Sequence, residues 1–351
     1  MVEVVPDSEW QSLQNFLSHS PWSGKGLLDQ VARDANHLIG DDTDSCFIVD
    51  ESAFDKKGNK SVGVSRQWNG RLGKVDNCQV GVYGALCRRD QAVLIDTRLF
   101  LPESWTNDPD RCREAGIPND RLEHRKKAEL ALDMVQSARQ NGVDFQWVGG
   151  DAFYGDDPEF LRQLDQIGET FMLDIHNDQP IYLDDPTPYL PDRKSARGRT
   201  PTRWQTDQLA VEVGQWADEQ PKSAWEKMVV RKSTKGFIFA SVVHREVWLW
   251  DGEEQQAHQW HLVVSDSDLS KNKRKYSLSN APSDTPISRL VCMQDQRYWV
   301  ERAIEDGKSH AGLADYQVRT WTGWHHHMAM VMLALLFMLE TKIKMKTTIT
   351  Y

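Results

Sequence analysis

Two short runs constrain this chain more than anything else in it: Cys46-Phe-Ile-Val-Asp50 and Phe145-Gln-Trp-Val-Gly-Gly-Asp151. Each is a few mostly apolar residues closed by an aspartate. Runs of this kind, too short for a helix, mark strands buried within a helix-covered sheet. The residues between them supply the other layers. Residues 79–86 alternate through Val80 and Val82, and residues 92–100 carry Val93, Ile95 and Leu99, so both are predicted strands. The Pro-, Asn- and Asp-rich residues 101–120 are predicted as a loop. Lys127–Gln140 places Leu130, Met134, Val135 and Ala138 on one side of a helix that Asn141-Gly142 stops. After the second run, Asp157-Pro158 is a helix start, with the acid as cap and proline in the first turn. Phe160, Leu161, Leu164 and Ile167 form the apolar face of that helix, and Phe171–Ile175 is one more strand.

From residue 46 the predicted order is therefore β-β-β-α-β-α-β, the layout of an α/β, RNase H-like mixed sheet flanked by helices. In that layout the first and fourth strands are neighbours, which would set Asp50 beside Asp151. Residues 1–45 have helical spacing at Trp10, Leu13, Phe16 and Leu17, then at Leu27, Val31, His37 and Leu38. Residues 177–290 break the pattern with Pro and Asp clusters, a basic stretch (Arg193, Lys194, Arg197, Arg199, Arg203) and strand-like runs at 227–231, 236–243, 247–250 and 260–264. The expected division is a helical segment at 1–45, possessing at most a short DNA-recognition portion; a first core part at 46–176; a β-rich insertion at 177–290; a second core part at 291–340; and a basic, Thr-rich tail at 341–351.

Composition narrows the function. The formal net charge of -10 argues against a uniformly basic nucleic-acid binder, but binding depends on local patches. The five cysteines are odd in number and form no CxxC pair, which suits a reduced cytoplasmic compartment better than a disulfide or zinc scaffold. Residues 328–339 are the longest apolar run and fall short of the roughly 20 residues a membrane span needs. The start of the chain lacks a basic-then-apolar leader pattern.

Three stretches carry the chemistry. They are IVDESAFDKKGNKSVGVSRQWNGRLGKVDNCQVGVY from Ile48, WVGGDAFYG from Trp147, and YSLSNAPSDTPISRLVCMQDQRYWVERAIEDGKSHAGL from Tyr276. In order and spacing they resemble the three acid blocks of DDE-type insertion-sequence transposases, in the branch whose RNase H-like core has a β-strand insertion. That branch places its third acid in a signature of Tyr, two residues, Arg, three residues, Glu, six residues, Lys. Here Arg297, Glu301 and Lys308 match and Gln294 stands at the Tyr position. The resemblance implies Asp50, Asp151 and Glu301 as catalytic, metal-binding carboxylates for two Mg²⁺ ions, with Mn²⁺ able to substitute. It implies cleavage of double-stranded DNA at terminal inverted repeats, strand transfer into target DNA, a homodimeric synaptic complex and a nucleoid-associated place of action. The spacing of four and seven residues puts Arg297 and Lys308 on one helical face with Glu301, where they would neutralise DNA phosphate. An i,i+4 ion pair between Arg297 and Glu301 is the plainer alternative. A second function is a truncated, non-cutting relative that binds DNA or dimerises and inhibits transposition.

Lesser features have two sides. Lys56, Lys57, Lys60, Arg66, Arg71 and Lys74 follow the first acid and either track DNA phosphates or form a solvated basic loop. The 193–203 stretch divides the same way between strand-end contact and a basic loop. His325, His326 and His327 are consecutive on a helix and so point in different directions, which suits packing better than metal ligation. The tryptophans of the insertion are expected to pack it, with one able to stack on a flipped base.

Overall fold

The computed structural model describes residues 9–193, 201–233, 236–267 and 274–349. In chain order its elements are α1 (Trp10–Ser18), α2 (Gly24–Ile39), β1 (Ser45–Asp55), β2 (Ser65–Asn69), β3 (Lys74–Arg88), β4 (Gln91–Leu99), α3 (Glu103–Thr106), α4 (Pro109–Glu114), α5 (Lys127–Gln140), β5 (Trp147–Gly150), α6 (Ala152–Gly155), α7 (Pro158–Gln166) and β6 (Phe171–Ile175). There follow β7 (Pro180–Ile181), β8 (Val211–Glu212), α8 (Val213–Asp218), β9 (Glu226–Ser233), β10 (Gly236–Leu249), β11 (His258–Ser267), β12 (Arg274–Ser279), α9 (Ile287–Gln296), α10 (Tyr298–His310) and α11 (Trp321–Ile349). Two compact units result: Met1–Gln146 with Tyr298–Tyr351, and Trp147–Arg297. Each combines sheet and helix, the α/β class expected.

The first unit is built on β3. Strand β1 pairs antiparallel with it from Ser45↔Arg88 to Asp55↔Cys78. On the other side β2 takes the first part of β3 and β4 the rest. Ser45 to Val49 are all buried, after which burial along β1 begins to alternate. Helices α2, α5, α10 and α11 pack against this sheet. Ser23 caps α2 through the Gly26 amide at 3.0 Å, and Leu28, Val31, Ala32, Ala35 and Ile39 form its buried stripe. Burying each such side chain is worth about 1.5–3 kcal/mol for the larger aliphatics.

The structure departs from the sequence expectations in identifiable ways. Strand β1 does not end at Asp50, because the long β3 offers a partner as far as Asp55. Strand β2 was hidden by its polar composition; what makes it a hairpin is the turn at 70–73, with Gly73 at φ 61°. The 101–120 loop contains two short helices. Asp108 caps the second through the Arg111 amide, ahead of Pro109, and Trp105 is buried with its indole N–H donated to the Val64 carbonyl at 2.7 Å. Ile167 is the C-cap of α7 and exposed, not part of its buried face. The 341–351 tail is helical as far as Ile349, and Lys346 reaches Asp90 at 2.7 Å.

The second unit contains a mixed sheet in the order β5-β6-β12-β11-β10-β9. Only β5 and β6 are parallel there; β6 meets β12 antiparallel, and β12, β11, β10 and β9 follow as antiparallel neighbours. Residues 236–243 and 247–249, which look like parts of separate runs in the sequence, belong to the single strand β10. Trp216 and Trp260 are buried in this unit. The basic stretch from 193 to 203 lies largely outside the described residues.

Candidate active site

Asp50 occupies the middle of β1, opposite Tyr83 of β3. It is half-buried, and one carboxylate oxygen accepts the Glu51 amide at 2.7 Å. Glu51, next along the strand, is held by Lys127 at the start of α5, with Nζ to Oε1 at 2.6 Å. Asp55 closes the strand and takes an ion pair from Arg71 and a hydrogen bond from Asn69 Nδ2 at 2.6 Å. Along β1, Glu51 and Asp55 share one face and Asp50 takes the other; Glu51 is answered by Lys127 of α5 and Asp55 by Arg71 from the β2–β3 turn.

Asp151 is placed differently, by the second unit. The four buried residues of β5 run straight into it, and it caps the short helix α6, its Oδ1 accepting the Phe153 amide at 3.1 Å. Close behind, Asp156 accepts the His176 backbone amide at 3.0 Å and bonds the His176 ring. That bond raises the histidine pKa against the effect of burial, and the charges of Asp156, Asp178 and Asp151 add to the rise. The sequence gives a weak signal for this pair, since Asp156 and His176 lie 20 residues apart and no motif joins them.

The Arg-Glu-Lys signature is split by the structure. Helix α9 ends at Gln296 with Arg297 as its C-cap, and α10 begins at Tyr298. Arg297 therefore does not stand on the regular helix that carries Glu301 and Lys308. Its guanidinium is paired with Asp174 at 2.7 Å, and Asp174 also accepts from Ser277 Oγ at 2.6 Å. Gln294, at the signature's Tyr position, is buried: its amide accepts from Ser265 Oγ at 2.6 Å and donates to Ser277 Oγ at 2.9 Å. The same amide also donates to the Val263 carbonyl at 3.3 Å, and two donations are more than the single proton of a tyrosine hydroxyl could supply.

Glu301 and Lys308 are seven residues apart on α10 and share a face. Glu301 is exposed, while Lys308 is half-buried with Nζ 5.5 Å from the centre of the Phe54 ring. Burial pushes the Lys308 ammonium below its ordinary pKa and Arg71 adds to this, while Asp50 and Asp55 pull the other way. Among the described residues, no three His, Cys, Asp or Glu side chains form a group that could hold a metal ion.

The basic residues after the first acid also divide. Arg71 is engaged by Asp55 and Lys74 by Asp76 at 3.0 Å, while Lys57 and Arg66 are exposed. Lys56 lies with its ammonium 3.6 Å from the Tyr316 ring centre, and burial lowers its pKa to about 8. The three consecutive histidines of α11 have separate partners. His325 Nδ1 meets the Trp321 carbonyl, His326 bridges the Leu17 and Trp22 carbonyls, and His327 Nε2 meets that of Gly312. Among the described residues no helix is long and apolar enough to cross a membrane.

The chain is similar to known proteins along most of its length. A probable transposase for insertion sequence element IS701 from Microchaete diplosiphon is 22% identical over 328 residues, covering 91% of this chain and 71% of that protein. Among solved structures, the NurA nuclease from Sulfolobus solfataricus is 9% identical, covering 96% of this chain and 94% of its own, at a TM-score of 0.28. The family model described as DDE superfamily endonuclease matches residues 1–236, a span that includes Asp50 and Asp151 and stops short of Glu301. The chain belongs to the DDE superfamily endonucleases.

Proposed function

We propose that this protein is an insertion-sequence transposase, cutting double-stranded DNA at the terminal inverted repeats of its element and joining the freed end to target DNA. The family match across the first two acid blocks is the observation that carries this, supported by the IS701 relative along most of the chain. In this proposal residues 46–176 and 291–340 make up an RNase H-like core and residues 177–290 its insertion. The protein works as a homodimer, in the cytoplasm, on the nucleoid.

Asp50, Asp151 and Glu301 are the proposed metal-binding and catalytic carboxylates. The donor set fits Mg²⁺, with Mn²⁺ as substitute: three hard carboxylates with no sulfur or imidazole among them. When bound, two such ions supply Lewis acidity at the phosphodiester and activate the attacking oxygen. The protein's own part is placement. The β1–β3 register fixes Asp50, the cap on α6 fixes Asp151, and α10 carries Glu301 on an exposed turn. Lys308, on the same face of α10, offers its ammonium to the phosphate. Arg297, Lys56, Lys57, Arg66, Arg71 and Lys74 are the further phosphate contacts proposed, and for Arg297, Arg71 and Lys74 this requires exchanging a carboxylate partner for DNA.

Asp151→Asn tests the proposal cleanly, because asparagine also caps helices and leaves α6 intact. Mg²⁺-dependent cleavage of the element's own ends should fall by about a thousandfold or more with DNA binding retained, the usual scale for removing a charge that stabilises a transition state. Wild-type-level cleavage by the variant would remove Asp151 from the site. Absence of cleavage by the unaltered protein, with ends bound, would identify a non-cutting relative.

A further inference from the structure

Beside β1 lies a cavity of about 510 Å³, formed by the residues that follow Asp55 and by residues 314–319, all within the first unit. Its chemistry is set by Lys56, Lys57, Lys60, Arg319, Tyr316 and Asp55. Four cations face one carboxylate, and that carboxylate is already engaged by Arg71 and Asn69. Among the described residues, the ion pairs of this region involve Arg71, Lys74 and, at 3.4 Å, Lys60, and do not involve Lys56 or Arg319.

The walls are tied together. The Val62 amide donates to the Arg319 carbonyl at 2.9 Å, joining the two segments. Tyr316 forms the floor, its hydroxyl donating to Gln79 Oε1 and its ring packed by Phe54 and His327. Lys56 is pinned over that ring. Half-desolvated ammonium held by an aromatic face gains more from an oxyanion than a fully hydrated lysine does, because part of its hydration is already lost.

Building on the transposase reading, we propose that this cavity seats a backbone phosphate of the bound DNA, gripped by Lys56 and Arg319. Arg319 is new to the set of contacts, and Lys56 is singled out from its neighbours. The same chemistry would accept free inorganic phosphate, and the test separates the two. Because burial lowers the Lys56 pKa to about 8, the lysine grip weakens as pH rises from 7 to 9. The charged and titratable groups around it are Asp55, Lys57, Lys60 and Arg319 in the cavity and His327 behind Tyr316, itself held toward the neutral form by burial.

The experiment is fluorescence-anisotropy binding of a mixed-sequence DNA duplex to the full chain without divalent ions, across a salt series at pH 7 and pH 9. Lys56→Ala and Arg319→Ala should each weaken binding and lower the slope of log Kd against log salt by about one, whereas Lys344→Ala, on α11, should not. Lys56→Arg should keep the slope and lose less affinity between pH 7 and pH 9 than wild type. Unchanged slopes in both alanine variants overturn the proposal. So does inorganic phosphate that protects the Lys56 region from amine labelling while DNA does not. Ends cut normally with slopes unmoved would refute the cavity alone; slopes moved with no cutting would refute the transposase reading alone.

Discussion

Asp50 and Asp151 are the same side chain following similar short runs, yet the protein holds them by different means. Asp50 is inside an 11-residue strand paired along its whole length, so its position is shared among many hydrogen bonds. Asp151 stands between a four-residue strand and a four-residue helix, and its carboxylate caps that helix through the Phe153 amide. A carboxylate inside a strand tolerates local damage; one at a cap depends on whatever presses its helix into place. For α6 that is β6. A Cβ added at Gly155 would meet the Asp174 carbonyl oxygen at 1.9 Å, backbone that cannot swing away.

The largest effect should therefore come from Gly155→Ala, which we expect to destabilise the protein by about 3 kcal/mol, the upper end of overpacking penalties. Gly84→Ala is the matching test in the first unit. Its Cβ would meet the Phe47 ring at 2.3 Å, a side chain with some freedom to tilt, so about 2 kcal/mol is expected. Chemical denaturation of both variants measures the pair, and equal losses would erase the contrast.

The units should also differ in their response to acid. His325 in the first unit has its pKa lowered to about 4 by burial. The unfolded chain binds a proton there at higher pH than the folded one, so the stabilisation is complete above about 6.5 and disappears as pH falls toward 4. The loss should be on the order of 2 kcal/mol. His176 in the second unit runs the other way. Its pKa is raised through Asp156, so its contribution is complete below the unfolded value and disappears as pH rises through the folded one. This side chain is exposed, so its effect is the smaller. Stability measured from pH 4 to 7.5 in wild type and His325→Leu should show a flatter acid limb in the variant. A smaller prediction follows at Asp151 itself: Asp151→Ala should lose about 1 kcal/mol through the missing cap, and Asp151→Asn a few tenths at most.

The sequence carried the elements that announce themselves through apolar spacing or cap chemistry: α5 ended by Asn141-Gly142, α7 opened by Asp157-Pro158, and β6. It hid those whose partners are distant. The polar strand β2 exists because β3 is there to pair with it, and β1 extends past Asp50 for the same reason. Strand β12 is recognisable only beside β6 and β11. Asp108-Pro109 carries the same start signal as Asp157-Pro158 but sits among loop-forming residues that mask it. At the candidate site, chain order and local motifs are what point to Asp50, Asp151 and Glu301 as the proposed acids. The helix break at Arg297 and its pairing with Asp174 were not legible, because nothing within one turn of Arg297 signals a carboxylate arriving from β6.

Cation-directed backbone cleavage addresses the three acids together. Iron(II) put in place of Mg²⁺, with ascorbate and peroxide, cuts the polypeptide near wherever the ion is held. With DNA ends bound, the chain should be cut near residues 50, 151 and 301, in a pattern suppressed by excess Mg²⁺ and missing from Asp151→Asn. Cuts confined to one or two of those segments, or unaffected by the Asp151 substitution, would show that the three carboxylates do not serve a common cation site.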